Sequence, residues 1–374
     1  MRKILHIQVL PKLSGVQKVS LEILKSLPEE EYEKWILFSD TIDCGDKEEC
    51  TRQFEAIGVK VIFSKKMKRE ICLQDFAATK ELYDLFKKEK FDIVHTNSTK
   101  PGIIGRIAAI MAGVPLVVHT VHGLAFHKFV KFPRWQFYWL CEMFASLFCH
   151  KIALVNRYYQ KHFKWLRRKP VTIYNGIDFN LLPSKKEQPV KDDNRINILC
   201  VGRLDTPKDP LTLLAAARIV IERHPEAHFT LVGDGELYEH CKAYIQEHKL
   251  ESNVNMTGWL NDVSEFYQTY DIFALSSIYE SFGLIFLEAG YYHLPTVATN
   301  VEGIPEVVSN GETGLLCDPR DPEALANNLI YLIEHPEERK RIGDNAYNRV
   351  TTLFTSKKMV ESYKQLYEKK LSVR

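Results

Sequence analysis

Apolar residues along this 374-residue chain fall into two kinds of run. Short runs bounded by Gly, Pro, Asn or Asp read as strands buried on both faces, and longer amphipathic stretches between them read as helices. In the first half the spacing predicts strands at 4–9, 34–38, 59–63, 93–96, 116–120 and 151–155. Helices are predicted at 17–27, 73–89 and 101–111 among the intervening stretches. Residues 180–194 break this rhythm with two prolines, mixed charges and almost no apolar period. Alternation then resumes with strands at 196–201, 229–232, 254–257, 272–275 and 296–298, and helices at 210–222, 237–247 and 283–292. The tail differs, with three helices in succession at 322–334, 336–351 and 356–370. Strands alternating with helices predict parallel sheets covered on both faces, and such sheets bind ligands at the carboxyl ends of their strands. Two α/β domains in series are expected, each a doubly wound sheet.

Composition narrows the class without naming a function. The length is comfortable for two domains, and 45% apolar with 26% charged residues is ordinary for a soluble globular protein. A net charge of +2 gives no reason to expect nucleic acid as a partner. The first ten residues begin like a secretory signal, but His6 and Gln8 interrupt the apolar stretch and no small-residue cleavage site follows. A first strand is expected there instead. No run of about 18 apolar residues occurs, so no spanning helix is predicted. Eight cysteines without a Cys-x-x-Cys pair, several inside apolar runs (Cys149, Cys200, Cys317), read as reduced core thiols of a cytoplasmic protein.

The densest chemistry lies in Ser277-Ile-Tyr-Glu280-Ser-Phe-Gly283-Leu284-Ile-Phe-Leu-Glu288-Ala-Gly290. Gly283 follows a buried strand and opens a helix, whose free N–H groups suit a phosphate. Glu288 sits further along that helix among apolar neighbours, where a carboxylate needs hydrogen-bond partners. The vicinal hydroxyls of a ribose would serve, and Glu280, beyond the phosphates, could then hold a sugar. A glycosidase acid/base pair is a poor alternative. That chemistry wants two carboxyl groups about 5 to 9 Å apart across one bond, whereas eight positions of continuous helix rise about 12 Å. The pair brackets an extended ligand more naturally. A structural, capped role for Glu288 is the competing reading.

This segment resembles the paired-glutamate motif of glycosyltransferase family 4, retaining enzymes of the GT-B fold, in which seven residues separate the glutamates. The likeness continues through Leu294–Thr299 as Leu-Pro-Thr-Val-Ala-Thr, then Glu302-Gly-Ile-Pro-Glu306 and Gly311-Glu-Thr-Gly314. Upstream stands the companion motif Gly202-Arg203-Leu-Asp-Thr-Pro-Lys208-Asp-Pro-Leu211. The resemblance is strong over 195–365 and looser before it. Ser281 stands where the family usually has Gly, Glu302-Gly303 replaces Gly-Gly, and Tyr291-Tyr292-His293 fills a usually small stretch. These departures bear on the shape of the sugar pocket. The fold implied is GT-B: two Rossmann-like domains facing a central cleft, with the last helix crossing back to the N-terminal domain. The domains expected are 1–180 for the acceptor, a linker at 181–194, 195–355 for the nucleotide sugar, and 356–374 as the returning helix.

The resemblance assigns Arg203 and Lys208 to the leaving diphosphate. Both follow a strand end, and two cations with the helix N-terminus at Gly283 and Leu284 can neutralise that charge without metal. No Asp-x-Asp pair, the usual metal holder of other glycosyltransferases, occurs. A solvated charged loop is the alternative for Arg203 and Lys208. Gly233-Asp-Gly235 begins like a dinucleotide fingerprint but has Tyr238 in place of its third glycine. Its glycines read as a backbone approach to the nucleotide or as a plain turn. Gly258, with Trp259, is assigned by family analogy to backbone contacts with the base, Trp259 being alternatively core. Glu306 reads as a first-turn partner of a helix dipole.

On the acceptor side, Gly15 lies in a strand-to-helix turn where the family lets backbone approach donor phosphate and acceptor; a simple turn is the alternative. His122 occupies the place of a family histidine that contacts a substrate hydroxyl, with His119 a weaker candidate. No zinc site is expected from these two. Residues 124–169 are dense in aromatics (Phe126, Phe129, Phe132, Trp135, Phe137, Trp139, Trp165) and in basic residues (Lys128, Lys131, Arg134, Lys161, Lys164, Arg167, Arg168, Lys169), with Glu142 the single carboxylate. Such a mixture suits an anionic membrane surface or a lipid-linked pyrophosphate, or else an aromatic core helix with a basic edge.

The reading expected from all this is a retaining, metal-independent glycosyltransferase without cofactor. It moves a hexose or N-acetylhexosamine from a UDP-linked donor to a saccharide hydroxyl, on a lipid-linked acceptor in polysaccharide assembly at the inner membrane face. A nucleotide-sugar 2-epimerase, which would need an acid/base pair at C2, and a non-catalytic saccharide- or nucleotide-binding module are the alternatives.

Overall fold

The computed structural model describes residues 1–41, 46–68, 73–127, 129–166, 169–184 and 195–368. The chain divides into two compact units: Met1–Asn175 with the segment that begins at Ser356, and Gly176–Thr355.

Among the described residues the first unit is built on strands β1 (Arg2–Ile7), β2 (Tyr32–Ser39), β3 (Lys60–Ser64), β4 (Ile93–Asn97), β5 (Leu116–Val121), β6 (Lys151–Leu154) and β7 (Pro170–Thr172). Their order is β3-β2-β1-β4-β5-β6-β7, every pairing parallel. The winding therefore reverses between β1 and β4. Helices α1 (Gly15–Lys25), α2 (Lys47–Glu55), α3 (Asp75–Glu89), α4 (Thr99–Ala112) and α5 (Arg134–Ala145) connect the strands. Strands covered on both faces need apolar residues at successive positions; Ile93 and Val94 in β4 and Leu116–Val118 in β5 are all buried.

The second unit carries β8 (Ile196–Val201), β9 (Ala227–Val232), β10 (Val254–Gly258), β11 (Ile272–Leu275), β12 (Thr296–Thr299) and β13 (Gly314–Cys317), in the order β10-β9-β8-β11-β12-β13. All are parallel, and the reversal falls between β8 and β11. Its helices are α6 (Pro210–Arg223), α7 (Tyr238–Glu247), α8 (Ser264–Thr269), α9 (Leu284–Tyr291), α10 (Ile304–Val307), α11 (Pro322–Glu334) and α12 (Pro336–Leu353). Gly176 and Ile177 belong here for a local reason. Ile177 N–H donates to Phe354 O at 3.1 Å, and a Cβ on Gly176 would stand 2.3 Å from Thr355 O.

Helix α13 (Ser356–Glu368) rejoins the first unit and completes its core. Met359, Val360, Tyr363, Leu366 and Tyr367 pack into one apolar cluster with Ile4, Val19, Ile36, Ile93 and Val118. Beside them the Tyr367 hydroxyl meets His6 Nε2 at 3.2 Å and His95 Nδ1 at 2.7 Å, while Tyr363 OH meets Thr120 Oγ1 at 3.1 Å.

Most predicted elements are present with ends shifted by a residue or two. The predicted elements do not include α2, α8, β7 and β13, and α5 is foreseen only as the alternative of an aromatic helix within 124–169. Most of the stretch expected as linker, 185–194, lies outside the described residues; Pro183, just before it, accepts a hydrogen bond from the Tyr292 hydroxyl at 2.9 Å. The six described cysteines are free thiols, five of them buried. Among the described residues no helix is long and apolar enough to cross a membrane.

Candidate active site

In the second unit the loops after β8 and β11 meet at the point where the strand order reverses. Such a crevice is where doubly wound sheets hold their ligands. Asp205 shapes the first loop. Its carbonyl accepts from Lys208 N–H at 3.0 Å and Asp209 N–H at 3.1 Å, and its buried carboxylate holds the Arg203 guanidinium at 2.9 Å. The second loop docks onto the first. Ile278 N–H donates to Pro207 O at 2.9 Å, and Ser276 Oγ donates to Asp209 O at 2.7 Å.

That docking brings Lys208 and Glu280 into a direct ion pair, Nζ to Oε2, with side chains only 18% and 12% exposed. The roles expected of them, Lys208 on the diphosphate and Glu280 on the sugar, thus fall on two groups in contact. An ammonium has three N–H donors, so one given to Glu280 leaves others for a phosphate oxygen. Arg203 reaches outward, 65% exposed, anchored by Asp205.

Gly283 caps α9 with φ of 78°, and a Cβ there would lie 2.5 Å from the Phe286 ring. Glycine is thus required where the helix begins, and the first N–H groups of α9, from Leu284 on, point toward its N-terminal end. Glu288 lies further along α9 and is half-buried. Beside it is the buried Tyr267 of α8, whose phenol is held well above its ordinary range by burial first and by the Glu288 carboxylate second. Helix α8 was absent from the predicted elements, so nothing in the sequence pointed to Tyr267.

Gly233 and Gly235 follow β9. A Cβ on Gly233 would stand 1.9 Å from Gly202 O, and one on Gly235 would stand 2.5 Å from Leu204 O. The close approach that demands glycine here is therefore to the chain's own Arg203 loop, which these residues buttress. Leu204 N–H donates to Asp234 O at 2.9 Å, and Thr206 Oγ1 donates to Glu236 Oε1 at 2.7 Å. Gly258, φ 73°, ends β10 and its carbonyl accepts from Gly233 N–H at 2.9 Å. Trp259 next to it is 57% exposed, so it is not a core residue. Glu306 sits in the first turn of the short α10.

In the first unit, Gly15 is the exposed first residue of α1, after β1. His122 follows β5, with Nε2 at 3.0 Å from Asn97 Oδ1 at the end of β4. Asn97 Nδ2 faces His95 O at 3.4 Å, which turns the amide oxygen toward His122 and makes Nε2 the protonated nitrogen. Burial pushes His122 down to about 4, so the ring is neutral at pH 7. His119 is a core residue: it is buried, its Nδ1 meets Thr96 Oγ1 at 3.0 Å, and it packs on Gly102 of α4. Among the described residues no group of three or more His, Cys, Asp and Glu is placed to hold a metal ion.

Of the aromatic and basic stretch 124–169, Leu124, Phe126, Tyr159, Phe163 and Leu166 are core. Phe132, Phe137, Leu140, Phe144, Leu147 and Trp165 are exposed. Glu142 is buried against Arg106, Oε1 to Nη2 2.9 Å. Lys128, Arg167 and Arg168 lie outside the described residues.

Two doubly wound parallel sheets in series are the architecture of the GT-B class of glycosyltransferases. Family models agree: Glycosyltransferase Family 4 matches residues 13–181 and Glycosyl transferases group 1 matches residues 183–349. The chain is similar to the UDP-Gal:alpha-D-GlcNAc-diphosphoundecaprenol alpha-1,3-galactosyltransferase of Escherichia coli, 34% identical over 380 residues, covering 98% of this chain and 96% of that one. It is also similar to the capsular polysaccharide biosynthesis glycosyltransferase CapM of Staphylococcus aureus, 28% identical over 322 residues, with 80% and 83% covered. Among solved structures, Anabaena Alr3699/HepE in complex with UDP and glucose has the same fold, with a TM-score of 0.82 at 20% identity and 99% and 100% of the two chains covered. The chain belongs to glycosyltransferase family 4 and is a glycosyltransferase.

Proposed function

We propose that this enzyme is a retaining, metal-independent transferase that moves a hexose or N-acetylhexosamine from a UDP-linked donor to a hydroxyl of a lipid-linked saccharide. The Lys208–Glu280 pair beside the N-terminus of α9 carries this reading. Lys208, Arg203 and the α9 N–H groups receive the diphosphate and stabilise the charge it gains on leaving. Glu288 holds the ribose hydroxyls, and Glu280 holds the donor sugar and supports positive charge at its anomeric carbon. Gly15 and Gly258 let backbone come close to the donor, while Gly233 and Gly235 act on it through the Arg203 loop that they buttress. The bond from the anomeric carbon to the phosphate oxygen breaks. The acceptor oxygen bonds to that carbon on the same face, and its proton passes to the leaving phosphate oxygen. The neutral His122 offers Nδ1 to a substrate hydroxyl.

The lipid-linked acceptor is supported by the Escherichia coli relative, whose name specifies a diphosphoundecaprenol-linked acceptor and a UDP-galactose donor. Polysaccharide assembly is supported by that protein and by CapM. An enzyme using such an acceptor would work in the cytoplasm at the inner face of the membrane, which the exposed part of residues 124–169 would touch.

A panel of nucleotide sugars, scored for slow UDP release without acceptor and then for transfer to a lipid-linked N-acetylglucosamine, tests the reading. Turnover of one UDP-sugar, undiminished by EDTA, is the expected result. Activity that requires manganese and vanishes with chelator would overturn the metal-independent part. A new nucleotide sugar formed without acceptor would make the protein a 2-epimerase instead.

A further inference from the structure

Helix α5 presents to solvent a stripe that a water-facing helix does not carry. Phe137, Leu140, Phe144 and Leu147 recur at helical spacing, the last in the 3-10 turn Ser146–Phe148 that extends α5. Each is more than half exposed. The stripe runs about 15 Å along the helix. Phe132, at 78% exposure, precedes it, and Trp165, 51% exposed, lies alongside through its indole contact with Met143 Sδ at 3.1 Å.

Cations border this surface. Lys131, Arg134 and Lys164 are exposed, and Lys169 caps the stripe's end through the carbonyls of Ser146 and Leu147. The one carboxylate of the segment, Glu142, points inward to Arg106 and contributes no surface charge. Helix α4, which packs on α5, contains no acidic residue.

We infer that this face of α5, with Phe132 and Trp165, is a docking surface for an anionic lipid bilayer, its apolar stripe entering the headgroup boundary and its cations meeting lipid phosphates. Exposed aromatic and aliphatic residues ringed by Lys and Arg match the two attractions that hold a helix in such an interface. A second copy of the chain is a worse occupant, since the same unbalanced cations would face each other. The inference deepens the proposed reading, resting on it only for the reason the enzyme would visit a bilayer.

Flotation of the full chain with vesicles tests it, comparing phosphatidylglycerol mixed into phosphatidylcholine with phosphatidylcholine alone. Two variants accompany the native chain: Phe137→Ser, Leu140→Ser and Phe144→Ser together, and Lys131→Glu, Arg134→Glu and Lys164→Glu together. Native protein should float with the anionic vesicles, and each triple variant should lose about tenfold or more of the bound fraction. UDP-sugar hydrolysis should stay unchanged in both variants. Transfer to a long-chain acceptor in vesicles should fall, while transfer to a short-chain soluble acceptor should not. Native protein that floats with neither vesicle, or serine variants that float like the native chain, would overturn the inference. So would a native dimer that the serine variant converts to monomer, which would make the stripe an interface between copies. Flotation as expected from a protein that turns over no nucleotide sugar would support the docking face while removing the transferase reading.

Discussion

Lys208 and Glu280 are 72 residues apart in the chain and end in one ion pair. Partly enclosed, the pair holds each group against the other. Losing either member also leaves its partner less well compensated. Glu280→Gln should lower turnover by about 100-fold or more, with UDP affinity changed by less than about threefold; steady-state kinetics beside UDP titration calorimetry would check this split. Lys208→Ala should reduce kcat/KM by about 100-fold or more, because in the proposed reading it removes a donor to the developing phosphate charge. Arg203→Ala should do less, since Arg203 is largely exposed and its charge is already met by Asp205. Sequence motifs named these three residues, but the contact between Lys208 and Glu280, and the support from Asp205 and Tyr267, arise from loop docking that no local pattern encodes.

Glycines and histidines set the tolerances of the elements. At Gly233 an added methyl would collide with backbone, which cannot rotate away as a side chain can, and φ of 147° is strained for any other residue. Gly233→Ala should therefore cost about 3 kcal/mol or more, read as a fall in the urea midpoint. In the first unit, β1, β4 and β5 carry His6, His95 and His119 into the core, and His122 follows β5. Burial is the main cause that lowers all four: His6 to about 3, His122 to about 4, His95 and His119 well below 6.5. The folded chain thus keeps these rings neutral where the unfolded chain protonates them. Their contribution is fully present above pH 6.5 and is lost as pH falls toward the folded values, at a limit of about 1.4 kcal/mol per pH unit for each ring. Urea unfolding at pH 7.5, 6 and 5 should show falling stability, and a flat profile would contradict the buried, neutral assignment. Tyr367→Phe removes the hydroxyl shared by His6 and His95 and should cost about 1–3 kcal/mol in the same measurement.

At the scale of the molecule, the first unit is discontinuous: its core takes in α13 from the far end of the sequence. A chain ending at Thr355 should lose soluble expression or bind a hydrophobic dye strongly, because the cluster around Ile4, Val19 and Ile93 loses its cover. Residues 1–175 alone should fail in the same way, whereas supplying 356–374 through a short Gly/Ser connection should restore cooperative unfolding. Equal stability of the truncated and complete first unit, by urea unfolding followed by circular dichroism, would contradict this role for α13.

Local pattern was enough for much of this protein. Apolar runs such as Ile272–Leu275 and Ile196–Val201 announce strands because a parallel strand under helices must be apolar on both faces. The paired glutamates, the Arg203–Lys208 loop and Gly283 are legible for a similar reason: the recognition of phosphate and sugar proposed for them needs particular groups at short, fixed spacings. Tertiary structure decided what depends on residues distant in the chain. It joined Lys208 to Glu280, set Tyr267 beside Glu288, turned Glu142 inward to Arg106, and divided 124–169 into a buried half and an exposed stripe. It also made α13 part of a core built from residues at the opposite end. These outcomes follow from which loops and faces come together, and burial and pairing energies exist only once they have.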